Sequence, residues 1–260
     1  MILTENQNNK RSNATGHWAW NLAVGFSIFF LIYLPAKDVW QGESGGDYYT
    51  LATLLPAGVY YTLAVTFLGS ACAILVGLLV ALGKMSKRPL VQTLASFYTE
   101  ILRGVPLLVL LFYIYYALGE FLKIPALFSA VLGFGFCYGA YMADVFRAGV
   151  ESIPVEQKEA ARSLGMTERR ALRQIILPQA MRTILPAVSN QTLGMLKDTS
   201  LVSVLAISDI LRVGNEYATK HFNYFETYTY VALMYLALTL LMSRVTLYVE
   251  TRLKTRQEWR

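Results

Sequence analysis

The sequence is poor in charge, cysteine and histidine, and each shortage excludes a class of protein. Only 15% of its 260 residues are charged, whereas about a quarter is usual for a soluble domain. The two cysteines, Cys72 and Cys137, and the two histidines, His17 and His221, have no spacing that indicates disulfides or a metal site. Because the chain also offers no arrangement of a nucleophile beside a base, we do not expect a membrane enzyme.

Charge is missing altogether from several long apolar blocks. No charged residue occurs in the 23 positions of Tyr60–Leu82, in the 20 of Ile124–Ala143 or in the 17 of Thr227–Ser243. Roughly 20 apolar residues span the hydrocarbon core of a bilayer as a helix, and in lipid the backbone has to satisfy its own hydrogen bonds. The sequence therefore predicts an all-α integral membrane protein.

Six spanning helices are predicted, and the first stands apart from the others. It follows Lys10 and Arg11 as a signal peptide would, but no small-residue cleavage site comes after it, so we favour a retained helix. A glycine-rich external linker, residues 42–47, separates it from five later helices that form the working core. The predicted spans are Trp18–Ala36, Tyr60–Leu82, Tyr98–Leu118, Ala126–Phe146, Thr183–Leu205 and Tyr228–Tyr248.

Lysine and arginine are concentrated in the segments that would lie on one side of the membrane. These segments are the N-terminal tail, the second-to-third connection, the fourth-to-fifth connection and the C-terminal tail. Since such residues favour the cytoplasmic side, both termini are predicted to be cytoplasmic. The net charge of +6 then reflects topology and does not require a nucleic-acid partner.

A polar island, Glu159–Pro178, lies within the fourth-to-fifth connection. Pro154 suits the first position of a helix, and Gly165 suits the left-handed position just past its end. Thr167 is suited to cap a second short helix, for which Pro178 is the expected end. The island is therefore predicted to be two short helices joined by a tight turn outside the membrane.

Three interpretations of this island are open. Ala160, Ala161 and Leu164 are expected to form one small apolar face, which would let the first helix sit in a groove of a cytoplasmic partner. A solvated loop with ordinary helix punctuation is the second interpretation. A DNA-binding helix-turn-helix is the third, although both ends of the island run straight into membrane and leave no soluble core to support it.

The island also resembles a known family. Glu159-Ala160-Ala161, Gly165 and Ile175-x-Leu177-Pro178 match the EAA-loop pattern of membrane subunits of bacterial ATP-binding-cassette (ABC) type I importers. Three further segments are similar to the polar amino-acid branch, which includes histidine, glutamine, glutamate and arginine permeases. They are Leu102–Leu107, Ala140–Gly149 and Leu196–Leu201.

The resemblance covers roughly residues 58–250 and implies a division of the chain. Residues 1–57 would be a tail, an accessory transmembrane helix and an external linker, residues 58–250 the permease domain, and residues 251–260 a basic cytoplasmic tail. The implied fold is the five-helix type I importer core plus one extra N-terminal transmembrane helix. The implied location is the bacterial inner membrane.

The resemblance further implies a division of labour between subunits. The residues expected to couple the chain to a separate ATPase are Glu159, Ala160, Ala161, Leu164 and Gly165. The chain contains no Gly-x-x-x-x-Gly-Lys-Ser/Thr phosphate loop, so no cofactor is expected in it, and ATP and Mg would bind to the partner ATPase. The expected partners are two ATPase subunits, a second permease copy or paralogue, and an external amino-acid-binding protein.

Charged residues inside the apolar blocks are candidates for the substrate pathway, because ionisable groups at membrane depth are costly unless paired or hydrated. Lys197 and Asp198, followed by Thr199 and Ser200, would complement the carboxylate and ammonium of a polar amino acid. A structural ion pair at a helix bend is the alternative.

Two further charged pairs, Glu100 with Arg103 and Asp144 with Arg147, have a spacing of three residues that lets each pair meet on one helix face. They either serve as structural pairs or line the inner mouth of the pathway. A channel or ion-coupled carrier that works without ATP is the alternative function.

Overall fold

The structure, a computed structural model, describes residues 2–42 and 46–258, and over these residues the chain contains helices and no strand. The α-helices of this part of the chain are α1 (Ile2–Trp40), α2 (Asp47–Leu54), α3 (Pro56–Lys84), α4 (Pro89–Gly104), α5 (Leu107–Phe112), α6 (Gly119–Leu122), α7 (Ala126–Glu151), α8 (Val155–Ser163), α9 (Glu168–Ala171), α10 (Leu177–Asp198), α11 (Ile210–His221) and α12 (Tyr224–Glu258). Residues Tyr113–Ala117 and Leu172–Ile176 form π-helical turns, and Thr199–Leu205 form a 3-10 segment.

Four helices in the described part of the chain are long and apolar enough to cross a membrane. They contain the predicted first, second, fourth and sixth spans. The corresponding segments are Trp20–Trp40, Pro56–Lys84, Ala126–Glu151 and Tyr224–Tyr248. The prediction of an all-α membrane protein is thus confirmed.

The predicted third span, Tyr98–Leu118, is wrong as a single helix. The chain forms two helical segments there, Pro89–Gly104 and Leu107–Leu122, whose axes are bent by 101° at the break between them. Pro106 has no N–H to continue the α4 ladder and pushes the residue before it, Val105, into extended backbone with φ −94° and ψ 127°. The helix therefore ends at Gly104, and the break at Val105 and Pro106 redirects the chain.

The predicted fifth span begins earlier than expected, and Pro178 does not end a helix. Helix α10 starts at Leu177, directly after the π turn, and Pro178 lies in its first turn. Proline is tolerated at that point, because the wide π turn and the first helical turn do not need its missing N–H. The helix then continues to Asp198 and tightens into the 3-10 segment.

The centre of the bundle is the contact between α3 and α7, where small residues let two helices approach closely. A Cβ added to Gly77 would lie 2.7 Å from the Cβ of Met142 and 3.0 Å from the carbonyl oxygen of Gly139. Fully buried side chains surround this contact, among them Val65, Phe134 and Met195. Such small-residue contacts are typical of helices that pack in membranes.

Helix α1 packs against α2 and α12. The Tyr230 hydroxyl donates to the Leu31 carbonyl oxygen at 2.9 Å, and the Arg244 guanidinium lies 3.5 Å above the Trp20 ring. At the other end of α1, the Asp38 carboxylate accepts the backbone N–H of Tyr48 at 2.9 Å, in the first turn of α2. Residues 43–45 of the predicted linker lie outside the described residues, and the division at residue 57 stays a prediction.

Candidate functional site

The first candidate site is the turn between α8 and α9, within the predicted polar island. Gly165 has φ +74°, the left-handed value that the sequence predicted for it. The Met166 N–H donates to the Ala161 carbonyl at 3.1 Å and the Gly165 N–H to the Arg162 carbonyl at 2.9 Å, which together close a Schellman turn. The Thr167 hydroxyl oxygen accepts the N–H of Arg170 at 3.4 Å and caps α9, also as expected.

The apolar face predicted for Ala160, Ala161 and Leu164 forms only in part: Ala160 and Leu164 lie on the outward side together, whereas Ala161 points inward. Ala161 is buried against the rest of the chain, whereas Ala160 is exposed and Leu164 is 80% exposed. At 3.6 residues per turn, Glu159 lies opposite Ala161 and faces outward, and it is exposed. The outward surface of the turn is therefore a mixture of Glu159, Ala160 and Leu164.

An ion-pair clasp holds this turn against the rest of the chain. Glu168 accepts from Arg162 at 2.7 Å and from Lys87, in the α3–α4 connection, at 3.2 Å. The hydrogen bonds and charges of Lys87, and then those of Arg162, lower the pKa of the Glu168 carboxyl. Sequence reasoning missed this clasp, because Lys87 and Glu168 are 81 positions apart.

The second candidate site is a cluster of charges around Asp144 on α7. Lys84 approaches the Asp144 carboxylate at 2.8 Å and Arg103 approaches it at 2.5 Å. Arg147 lies 3.8 Å away, so the predicted Asp144–Arg147 pair forms. Among the described residues, Arg103 makes its ion pair with Asp144 and not with Glu100, so the pair expected on α4 is not formed.

Lys84 is the residue of this cluster that sequence reasoning did not assign to a site. It lies at the start of the basic second-to-third connection, yet its side chain is only 14% exposed and also donates to the Thr99 hydroxyl at 3.0 Å. Its position just after the uncharged block Tyr60–Leu82 was the sequence feature that could have marked it as a buried cation. The cluster borders a polar cavity of 720 Å³, whose lining includes Lys84, Gln92, Ser96, Thr99, Glu100, Arg103, Gly104, Tyr141, Asp144, Arg147 and Glu151.

A smaller cavity of 360 Å³ lies at the break between α4 and α5. Asp198 lines it and accepts a hydrogen bond of 2.7 Å from the Tyr138 hydroxyl, a residue that sequence reasoning also missed. The lining consists of Arg103, Gly104, Val105, Pro106, Leu107, Cys137, Tyr138, Tyr141, Gln191 and Asp198. It combines one carboxylate, one guanidinium, aromatic rings and an amide.

The other predicted residues of the Lys197–Ser200 segment point elsewhere. Lys197 is exposed and lines neither cavity. The hydroxyl of buried Thr199 donates to the Leu196 carbonyl at 2.6 Å, and that of Ser200 donates to the Lys197 carbonyl at 3.0 Å. Of the four, Asp198 alone lines one of the two cavities described above. Within the described residues, no group of His, Cys, Asp or Glu is arranged to hold a metal ion.

Long apolar helices with a broken helix between them and polar cavities among them are the architecture of a multi-pass membrane protein with a polar interior. Comparison with known proteins then identifies the family. Residues 73–255 match the model of the "Binding-protein-dependent transport system inner membrane component" family. The chain therefore belongs to this family.

Individual relatives agree with this assignment. The chain is 40% identical over 198 residues to the probable amino-acid permease protein YxeN of Bacillus subtilis (strain 168), a match that covers 75% of this chain and 87% of YxeN. It is 36% identical to the L-cystine transport system permease protein TcyB of the same organism, over 77% of this chain and 86% of TcyB. A crystal structure of an amino acid ABC transporter with histidines superposes with a TM-score of 0.73 at 40% identity, over 78% of this chain and 95% of that one.

The protein is thus the membrane-spanning permease subunit of an ATP-driven importer of the inner membrane. It is a transport subunit and not an enzyme, since ATP hydrolysis in this family belongs to a partner subunit. Family membership also implies a substrate-binding protein and pairing with another permease subunit.

Proposed function

We propose that the chain forms half of the translocation pathway for a polar amino acid. It would pair with a second copy or a paralogue, dock two ATPase subunits, and receive its cargo from an external amino-acid-binding protein. The names of its relatives support this cargo class, since they describe an amino-acid permease, an L-cystine permease and an amino acid transporter with histidines.

The observation that carries the proposal is the 360 Å³ cavity, whose size is within the usual range for small-molecule sites. Its Asp198 carboxylate is suited to an ammonium group, and Gln191 and Tyr138 add polar groups that orient a ligand. Glu100, Asp144 and Arg147 line the larger cavity, which would be the inner mouth of the pathway. Lys197, Thr199 and Ser200 would support the helix end that presents Asp198.

Coupling to the ATPase would occur through the turn after α8. Glu159, Ala160 and Leu164 are exposed there, the left-handed Gly165 fixes the turn, and inward-facing Ala161 sets the distance between α8 and the rest of the chain. This role requires the turn and both termini to be cytoplasmic, as the basic connections predict. ATP and Mg would then bind in the partner subunits.

The test is ATP-driven uptake of polar L-amino acids by proteoliposomes that contain the permease, its ATPase and its binding protein. Ala160→Tyr places a bulky ring on the outward side of α8 and is expected to reduce both ATPase co-purification and uptake. Ala36→Tyr alters an exposed alanine near the other end of the bundle and serves as the control.

Undiminished co-purification and uptake by Ala160→Tyr would refute the docking assignment. Uptake by the permease alone, without ATPase or ATP, would instead support an independent carrier or channel.

A further inference from the structure

Arg103 stands where the two cavities meet. It lines the 720 Å³ cavity and the 360 Å³ cavity, as do its neighbour Gly104 and Tyr141. Its guanidinium lies 5.1 Å from the centre of the Tyr141 ring, and its side chain is 47% exposed. The same guanidinium therefore has access to both spaces.

Asp144, the carboxylate that pairs with Arg103 in the larger cavity, has three cationic side chains of the described chain within 4 Å. Asp144 also receives Lys84 at 2.8 Å, and Lys84 is the least exposed of the three cations, at 14%. Arg147 is nearby and has Glu151 as a second partner at 2.9 Å. If Arg103 left Asp144, the carboxylate would keep a short, partly buried ion pair with Lys84, so the desolvation penalty of an unpaired charge would not arise.

In the smaller cavity, by contrast, the carboxylate has no cationic partner among the described residues. Asp198 is its carboxylate, and among the described residues it accepts its hydrogen bond from the neutral Tyr138 hydroxyl and forms no ion pair. Arg103 is the one cation among the residues that line this cavity. An amino acid whose ammonium group faces Asp198 thus brings a carboxylate for which Arg103 is the available partner, and arginine binds carboxylates through two parallel N–H donors.

The backbone around Arg103 leaves room for such a movement. Arg103 is the penultimate residue of α4, immediately before the break, and a Cβ added to Gly104 would meet no atom within 4 Å. The end of a helix next to a sharp bend is a site at which small changes in helix position become changes in side-chain direction. Because Arg103 already lines both cavities, a turn of its side chain alone can direct the guanidinium to either of them.

We propose that Arg103 is the carboxylate-recognising residue of the pathway, and that it exchanges Asp144 for the α-carboxylate of the cargo when an amino acid occupies the smaller cavity. This proposal rests on the proposed function. It adds which residue binds the carboxylate of the cargo and which ion pair that residue gives up to do so. The cargo is thus recognised as a zwitterion, with Asp198 on its ammonium group and Arg103 on its carboxylate.

The test measures ligand binding to the permease–ATPase complex in lipid nanodiscs, in the absence of the external binding protein, by isothermal titration calorimetry. The probes are L-histidine, L-arginine, L-glutamine, L-glutamate and L-cystine, each compared with its α-carboxamide, which keeps the ammonium group and lacks the carboxylate. Wild type is expected to bind at least one amino acid about tenfold or more tightly than its amide, the ratio typical of a lost charged hydrogen bond.

Three variants separate recognition from structural damage. Arg103→Gln is expected to bind the amino acid and its amide about equally, and Arg103→Lys is expected to restore part of the preference. Lys84→Gln is the matched control, since it removes a more buried cation from the same carboxylate but from a residue that does not line the smaller cavity. It is expected to lower thermal stability and to reduce the preference for the free carboxylate less than Arg103→Gln does, because release of Arg103 from Asp144 becomes costlier but the guanidinium that binds the cargo is still present.

A preference that survives in Arg103→Gln, or one that Lys84→Gln abolishes to the same extent, would overturn the proposal. So would equal binding of acid and amide by wild type. ATP-driven uptake by the same variants, reconstituted in proteoliposomes with the ATPase and the binding protein, separates the role of Arg103 from the proposed function. Uptake without carboxylate recognition refutes only the role of Arg103, whereas absence of both uptake and binding refutes the proposed function as well.

Discussion

The turn after α8 and the charge cluster around Asp144 are built in opposite ways. The turn is closed by contacts between near neighbours, such as Met166 to Ala161, and is only tied from outside by Lys87. The cluster joins residues from three helices, since Lys84 and Asp144 are 60 positions apart and Arg103 and Asp144 are 41 apart. Local backbone chemistry determines the first, and the packing of helices determines the second.

This difference has a functional consequence. A turn that depends on its own residues keeps its shape when the helices move, which is what a docking element for an ATPase requires. A cluster that exists only while three helices are in register responds when any one of them moves. The first region is therefore suited to transmit force and the second to sense the position of the helices.

The largest expected effect tests the cluster. Asp144→Ala removes the carboxylate shared by Lys84 and Arg103 and leaves poorly exposed Lys84 with only the Thr99 hydroxyl of its described partners. We expect a loss of about 2–3 kcal/mol in stability, below the usual cost for a fully buried pair because Asp144 is 26% exposed. Thermal unfolding in detergent measures it.

The control for this change is Glu151→Ala, which removes a 54% exposed partner of Arg147 and should cost less than about 1 kcal/mol. Equal losses in the two variants would show that Asp144 is an ordinary surface carboxylate.

The next effect tests the helix contact that brings the cluster into register. Gly77→Val forces side-chain atoms into the backbone of α7, where even a Cβ would be 3.0 Å from the Gly139 carbonyl oxygen. Overpacking of this kind costs about 1–3 kcal/mol, and the unfolding midpoint of the purified protein should fall accordingly. Gly25→Val, at a position with nothing within 4 Å, should leave the midpoint nearly unchanged; a similar fall there would argue against close α3–α7 packing.

A smaller loss of stability, with a larger loss of coupling, is expected at the turn. Gly165→Val puts a β-branched residue at φ +74°, which costs roughly 1–2 kcal/mol, so we expect uptake per folded complex to fall about tenfold. Gly42→Val imposes the same strain at φ +80° in the connection after α1. Its uptake per folded complex should stay near that of wild type, and an equal fall in both variants would assign the effect to folding alone.

The smallest effect concerns the clasp of the turn. Glu168→Gln removes the charge that holds Lys87 and Arg162, and since these groups are exposed we expect uptake to fall by less than about twofold. The pKa of Glu168 is lowered in the folded chain, so its contribution is complete above the unfolded pKa and is lost as pH falls through the folded pKa.

Near neutrality, the pH dependence of uptake should therefore be the same in wild type and in Glu168→Gln. A wild-type profile that differs from that of Glu168→Gln between pH 6 and 8, a range far above the ordinary carboxyl pKa of about 4.3, would contradict this assignment.

Much of the fold was predictable because its signals are local. Uncharged blocks predict helices in lipid, and four of the six predicted spans coincide with apolar helices of the described chain. The two outright errors, a straight third span and a helix end at Pro178, have the same origin. Proline removes one backbone donor wherever it occurs, but whether the chain bends, as before Leu107, or continues, as after Leu177, depends on the turn that precedes it.

The sequence by itself determined the helical class of the protein, the left-handed Gly165 and the Thr167 cap. Each of these follows from backbone sterics and hydrogen bonding within a few residues. Only the tertiary structure decided that Arg103 meets Asp144, that Lys84 is withdrawn from water and that Asp198 faces Tyr138. The partner of a charged side chain depends on which helices cross beside it, and that is set by packing between segments dozens of residues apart.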